Sequence, residues 1–342
     1  MSKFKELLTP KRIPSALLIV LAILLLALPV FGKDYYLYAV IRILILALFA
    51  FSVNLLLGYT GLLSFGQGAF YAAGAFTCAR ILLARPNLLL GIICGVVIAG
   101  AVAFILGWFS VRHTAMYFAM LTLAFGMMIF GFLQKLKITG GAMGLWGIPR
   151  APLEIPYLFS ISMKSMSSYY YFVLILSSIA IFIFYRLVHS PLGLTFQGIR
   201  DSESRIAFTG ISVRNTRWLC FVIAGMYAGL AGALLAPLEG AVSPQVSHWA
   251  TSGDPVMATL LGGMYTFSGP IAGAAIYFML KEYAVGVAGE AMNWMLILGA
   301  VMVALVLGLR GGIVGSLQQS LFPRLRARFA ERSSHEQNDI KH

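Results

Sequence analysis

Apolar runs follow one another along almost the whole chain and are broken once by a polar island, Gln197–Arg217, rich in arginine. A helix of about 20 apolar residues crosses the ~30 Å hydrocarbon core of a bilayer. Eight runs approach or reach that length: Ser15–Phe31, Tyr36–Leu57, Gly68–Ala84, Leu88–Ser110, Ala115–Leu133, Tyr169–Leu187, Trp218–Pro237 and Met292–Leu309. A further stretch, Asp254–Val287, is apolar but broken by glycines. The pattern predicts an all-α integral membrane protein, a polytopic helical bundle with about eight full spans plus Gly-broken re-entrant segments. Residues 1–14 are expected to form a cytoplasmic N-terminal segment. Residues 15–310 would form the membrane domain, with a cytoplasmic loop at 189–217, and 311–342 a basic cytoplasmic tail.

Composition sharpens this picture. Sixty per cent of residues are hydrophobic and 11% are charged, against about a quarter charged in soluble domains. The formal charge of +13 does not require nucleic acid as a partner, because Lys and Arg accumulate on the cytoplasmic side of membrane spans. Lys3, Lys5, Lys11 and Arg12 before the first run resemble the start of a signal peptide. Val30–Lys33 lacks the small residues of a cleavage site, so the run reads as a retained span.

Cys78, Cys94 and Cys220 all lie in apolar runs, and the five histidines are scattered. The cysteines therefore read as core residues, with no metal ligands and no cofactor expected. Nothing resembles a paired carboxylate site or a nucleophile with its base, so no catalytic residue is assigned and the chain is expected not to be an enzyme.

Charge also gives a topology. With the N-terminus inside, five crossings place Arg112 inside and Lys135–Ser168 outside. The sixth brings Arg186, Arg200, Arg205, Arg214 and Arg217 into the cytoplasm, and the basic tail returns there. Between Pro237 and the tail, Asp254–Val287 must contribute an even number of crossings. A re-entrant hairpin turning at Thr266–Pro270 satisfies the count, and two short tilted helices are the alternative. Arg80, Arg85, Lys135, Lys137, Arg150 and Lys164 fall on the outer side, against the charge rule.

The segment SFGQGAFYAAGA, Ser64–Ala75, echoes TFSGPIAGAAIY, Thr266–Tyr277. Each has a polar, aromatic and glycine break followed by a small-residue helix, although Gly- and Ala-rich helices can match by chance. Paired interrupted segments point to a transport site. The candidate path residues are Ser64, Phe65, Gln67, Gly68, Phe267, Ser268, Gly269 and Pro270. Elsewhere Gly225, Ala228, Gly229, Ala231, Gly232 and Ala233 favour close helix packing. Gly140, Gly141, Gly144 and Gly147 make an adaptable outer loop with Trp146 as an interfacial anchor.

Within the island, Pro191 and Gly193 punctuate the exit from the membrane. Asp201 or Ser202 can cap a short helix through Phe208, with Gly210 as its left-handed stop. Ile206, Ala207 and Phe208 then offer an apolar patch suited to a groove on a soluble protein. An ordinary positive-inside loop is the simpler alternative.

Gly193–Leu234 resembles the cytoplasmic coupling loop of permease subunits in branched-chain amino acid ABC importers. The matching positions are Gly193, Ile199, Arg200, Asp201, Ala207 and Gly210. Gly58–Ala75, Thr139–Pro149 and Leu260–Ala274 agree in order and spacing across about 42–309. The resemblance implies two cytoplasmic ABC ATPase subunits, a homologous second permease, and a periplasmic or extracellular solute-binding protein. The setting would be the lipid of a bacterial inner (plasma) membrane, with both termini cytoplasmic.

The family carries mainly leucine, isoleucine and valine, and close relatives take urea, short amides or aromatic acids. Gly193, Arg200, Asp201, Glu203, Ala207, Phe208 and Gly210 are the expected ATPase-coupling residues. Gln67 departs from the histidine that relatives often carry, so it keeps a polar role without a titrating group. The chain has no GxxxxGK[ST] phosphate loop. An ion-coupled transporter would need carboxylates inside the bundle, and only Asp254 and Glu282 are placed for that.

Overall fold

A computed structural model of the chain describes residues 25–29, 34–112, 115–155, 159–163, 165–288, 296, 299–304 and 312–316. The runs Ser15–Phe31 and Met292–Leu309 lie mostly outside these residues, as do segment 1–14, Lys164 and tail residues 317–342. The described chain is helical apart from two short ribbons. Five of its helices are long and apolar enough to cross a membrane: Asp34–Thr60, Leu88–Ser110, Met116–Lys135, Met166–Val188 and Val213–Glu239. The protein is an all-α polytopic membrane protein.

Helix α1 spans Asp34–Asn54 and continues as a wider π turn through Leu55–Thr60. Gly61, at φ 73°, ends it, and the Leu62 N–H donates to the Leu56 carbonyl at 2.9 Å. The bond reaches one residue further back than in a Schellman stop, because the turn that it closes is the wider π turn. Helices α2 (Gln67–Ala84), α3 (Leu88–Ser110) and α4 (Ala115–Lys135) follow. Asn87 starts α3 by accepting from Leu90 N at 3.2 Å. Helix α5, Met166–Val188, begins three residues before the expected Tyr169, where Ser165 caps it.

The core is α8, Val213–Glu239, packed between α2 and α3. Gly74 lies on the Gly229 backbone, and Gly232 on the Tyr71 carbonyl. A Cβ at Gly95 would stand 2.9 Å from the Gly74 carbonyl oxygen. Without hydrophobic drive between helices in lipid, such close approach supplies the van der Waals attraction that holds them. Helix α1 packs on α8, with α5 against another of its faces.

Three features depart from the sequence expectation. The island is helical: α6 (Pro191–Asp201) and α7 (Glu203–Phe208) occupy it, and α8 already begins at Val213. Pro191 therefore does not interrupt the chain. It sits in the first turn, where its missing N–H costs nothing, and Ser190 accepts from Gly193 N at 3.5 Å. The expected cap of α7 is also absent: Asp201 ends α6, and Ser202 makes no side-chain cap bond.

The third departure is the Gly-broken hairpin. Helix α9, Trp249–Gly262, has 14 residues, and α10, Gly269–Ala288, has 20. At 1.5 Å per residue α10 is ~30 Å long, enough to cross. The connection at 263–268 lies beside Gly58 and below Arg200, and Gly312 packs on the Gly262–Gly263 backbone. At its other end α10 reaches α1, where Tyr35 contacts Glu282. The hairpin therefore runs to the island end of the bundle and does not turn at mid-depth. The chain enters it through a non-helical stretch and a short 3-10 turn, Pro244–Ser247.

The end opposite the island carries the ribbons. Strand β1 (Leu145–Trp146) pairs antiparallel with β4 (Ala241–Val242), and β2 (Leu153–Ile155) with β3 (Phe159–Ile161). Tyr38 and Arg42 meet Glu239 there.

A cysteine-labelling experiment tests this course. With Cys78, Cys94 and Cys220 replaced, Tyr265→Cys should react with an impermeant thiol reagent from the same membrane side as Arg205→Cys, and Met143→Cys from the opposite side. A Tyr265→Cys protein that reacts only after detergent would restore the mid-depth turn.

Candidate coupling face and translocation path

The island is assembled from its backbone outward. Gly193, Phe196 and Ile199 form the buried face of α6. Gly193 has no room for a side chain because the Val188 carbonyl crosses its position. Arg200 continues that face one turn beyond Phe196, and its Nη1 donates to the Gly58 carbonyl at 2.6 Å. Its Nε and Nη2 donate to Asp201 Oδ1, each at 3.1 Å. The same guanidinium stands 5.0 Å from the centroid of the Tyr265 ring. One side chain thus joins α6, the end of α1 and the 263–268 turn.

Helix α7 is anchored differently. Glu203 pairs with Arg217 on the first turns of α8, and the Arg217 side chain is 10% exposed. A buried guanidinium needs such a partner, since leaving it alone costs several kcal/mol, about 3–5. Ile206 lies over Gly198, where a Cβ would come within 2.6 Å of its Cδ1. Ala207 and Phe208 point the other way. Phe208 is 91% exposed, and Gly210 follows at φ 83°. A single exposed apolar side chain is ordinary, but this one stands at the tip of a braced helix beside exposed Ile211. Arg214, on the first turn of α8, and Arg112 stack on Trp108 at 4.7 and 5.3 Å.

A second polar cluster lies inside the bundle where α2 begins. Ser64, Gln67 and Gly68 are buried there, and Phe65 is half-buried. Ser64 Oγ accepts from Gly66 N at 3.3 Å, and Ser52 reaches Gln67 Oε1 at 3.5 Å. The Gly68 N–H donates to Ser252 Oγ at 2.8 Å. A Cβ on Gly68 would sit 3.3 Å from the His248 carbonyl oxygen. The start of α2 thus faces the start of α9. Asn54, the Gln67 amide nitrogen and Ser247 Oγ are buried with no hydrogen-bond partner among the described residues. Unmet polar groups of this kind call for an explanation.

Phe267, Ser268, Gly269 and Pro270 stand apart from these contacts. Phe267 packs among Phe51, Phe184 and Tyr185, at 5.7, 6.1 and 5.3 Å between ring centroids. Gly269 lies against the Gly263 carbonyl within the turn. The polar side chains that bond to the Ser64–Gly68 break are therefore Ser52 and Ser252, which the sequence reading passed over, and Ser247 brings its backbone carbonyl beside Gly68. Their signal was present: the run SPQVSHWATS, Ser243–Ser252, is polar amid apolar neighbours. Asp254 and Glu282, the two acids noted inside the apolar region, both have partners. Asp254 accepts from Tyr277 at 2.6 Å and Lys281 at 3.2 Å, and Glu282 from Tyr35 at 3.5 Å.

Comparison with known proteins identifies the family. The sequence model of the family described as branched-chain amino acid transport system / permease component matches residues 35–306. The chain belongs to this family. It is 30% identical over 258 residues to the high-affinity branched-chain amino acid transport system permease protein LivM of Escherichia coli (strain K12), covering 67% of this chain and 59% of the relative. The protein of the same name from Salmonella typhimurium (strain LT2) matches at 30% over 254 residues, with the same coverage. The match thus spans 59% of the length of these curated relatives. No solved structure matches the chain.

The permease's internal cluster gives a stability test. Replacing Gln67 by Met removes a buried amide whose nitrogen has no partner among the described residues and whose oxygen holds only the 3.5 Å Ser52 contact, and Ser52 keeps its bond to the Phe49 carbonyl at 2.8 Å. The detergent-solubilised Gln67→Met protein should melt at or above the parent temperature. Ser252→Ala strands the Gly68 N–H and should cost about 1–3 kcal/mol. Equal destabilisation by both substitutions would contradict this account of the cluster.

Proposed function

We propose that this permease is the membrane-spanning subunit of an ATP-driven ABC importer for branched-chain amino acids in a bacterial inner membrane. ATP hydrolysis would belong to two cytoplasmic ABC ATPase subunits. A homologous second permease would complete the pathway, and an external solute-binding protein would deliver the solute. Residues 189–217 and both termini would face the cytoplasm, and the permease would contribute no catalysis of its own. The substrate class follows the family's description and the names of the two relatives.

The observation that carries the coupling role is the braced, open tip of the island. Phe208 and Ala207 protrude from a helix fixed by the Glu203–Arg217 pair, and an exposed apolar anchor of this kind suits a groove on a soluble partner. Movement of α7 would reach α6 through Ile206 and Gly198. From there Arg200 would carry it to the end of α1 and the 263–268 turn. Helix α1 bears Ser52 and Asn54, so the displacement would arrive at the internal polar cluster. The break at Ser64, Phe65, Gln67 and Gly68 would then line the solute path. Phe267, Ser268, Gly269 and Pro270 would act as its hinge at the cytoplasmic end.

Phe208→Asp tests the docking step in proteoliposomes carrying the permease and its partner subunits. The variant should insert and melt like the parent, because the side chain is almost wholly solvent-exposed. Hot-spot aromatics contribute upward of ~2 kcal/mol at an interface, so ATPase retention and uptake should fall by tenfold or more. Normal solute-stimulated hydrolysis and normal uptake would overturn the assignment.

A further inference from the structure

Helices α2 and α3 pack together, but α4 does not close against them toward the end opposite the island. They leave an apolar cavity of about 1020 Å³, at the upper end of the ~300–1,000 Å³ typical of small-molecule pockets. Ala73, Val102 and Met127 line its deep part, and Phe132 lies higher. At its mouth stand two cations, Arg80 and Lys135, with no carboxylate in the lining. Neither takes part in an ion pair among the described residues. Both belong to the outer side of the charge-derived topology, where basic residues are under-represented.

The dimensions are those of one lipid leaflet. From Lys135 down to Met127 is eight residues of α4, and from Arg80 to Ala73 seven of α2, or ~10–12 Å at the helical rise. Along α3, the lining residue Ile98 lies ten residues below Leu88, or ~15 Å, and Val102, at ~21 Å, forms a floor just past mid-depth. Half of the ~30 Å hydrocarbon core is ~15 Å. A docked helix from another subunit would call for small residues that let backbones approach. Apart from Ala73 and Gly131, this wall presents bulky side chains such as Met127, Met128, Phe132 and Ile98 around an open slot, which flexible acyl chains can fill.

We propose that this groove binds one phospholipid of the outer leaflet with an anionic headgroup. Its acyl chains lie between α3 and α4, and its phosphate rests between Arg80 and Lys135. The inference requires only that the chain be embedded in a membrane and stands independently of the transport reading.

Lipid analysis of the permease, purified with its partner subunits in mild detergent, tests it by native mass spectrometry and extraction. Phosphatidylglycerol should be retained over phosphatidylethanolamine roughly tenfold beyond its share of the membrane, the order expected from two basic contacts. Arg80→Gln with Lys135→Gln should abolish that enrichment, whereas Arg85→Gln, outside the groove, should not. Gly131→Trp keeps both cations but places a ring where a Cβ meets nothing within 4 Å, and it should displace the lipid as well. Identical phospholipid content in the parent, the double variant and the tryptophan variant would overturn the proposal. So would equal retention of phosphatidylethanolamine, or cross-linking of Phe132→Cys to a neighbouring polypeptide.

Discussion

A backbone carbonyl with no helical partner dictates the island end of this bundle. Helix α1 stops at Gly61, so the carbonyls of its last turn lose their helical donors. In a membrane protein each such group needs a partner from within the protein. Arg200 supplies it at Gly58, and places a positive charge at the negative end of a 27-residue helix. Glycine at 58 and 61 is what permits this. Gly58 admits the Met264 carbonyl and the Asn54 side chain, and Arg200 Cγ stands 3.1 Å from the position of a Cβ on Gly61. Because the guanidinium also covers Tyr265, the island, α1 and the hairpin turn form one mechanical junction.

The rest of the bundle divides into stiff and loose parts around that junction. The α2–α3–α8 core is locked by backbone contacts through Gly74, Gly229 and Gly232, which leave little room for sliding. The internal cluster is looser. Gln67, Asn54 and Ser247 hold polar atoms unmet among the described residues, so part of the hydrogen-bonding capacity there is open to another occupant or another arrangement. Toward the opposite end the Arg42–Glu239 and Lys281–Asp254 ion pairs link α1 to α8 and α10 to α9. Stiffness in the core with unmet polarity at the helix starts suits a path that opens at discrete positions.

Much of this was legible in the sequence because hydrocarbon thickness sets helix length. Leu88–Ser110 matches residue for residue, and Gly68–Ala84 differs by one. The exposed Phe208 and left-handed Gly210 were also readable, since both follow from local chemistry. What was not legible depended on tertiary position. Pro191 looks like a breaker until it is seen at the first turn of α6, and Asp201 like a cap until Arg200 is found holding its carboxylate. The hairpin's depth could not be read from length alone, because the chain enters it through the 3-10 turn Pro244–Ser247 and α9 begins only at Trp249. The pairing of Gly68 with Ser252 spans 184 positions, beyond the reach of any local pattern.

The central claim is that Arg200 transmits motion between the island and the spans, and one ratio measures it. In proteoliposomes containing the partner ATPases and solute-binding protein, solute imported per ATP hydrolysed should be compared for the parent and Arg200→Met. Methionine keeps much of the stem but loses the Gly58 bond and the Tyr265 contact. The account predicts a ratio lower by tenfold or more, the equivalent of about 1.4 kcal/mol of lost coupling, with hydrolysis and ATPase binding largely retained. An unchanged ratio would contradict it.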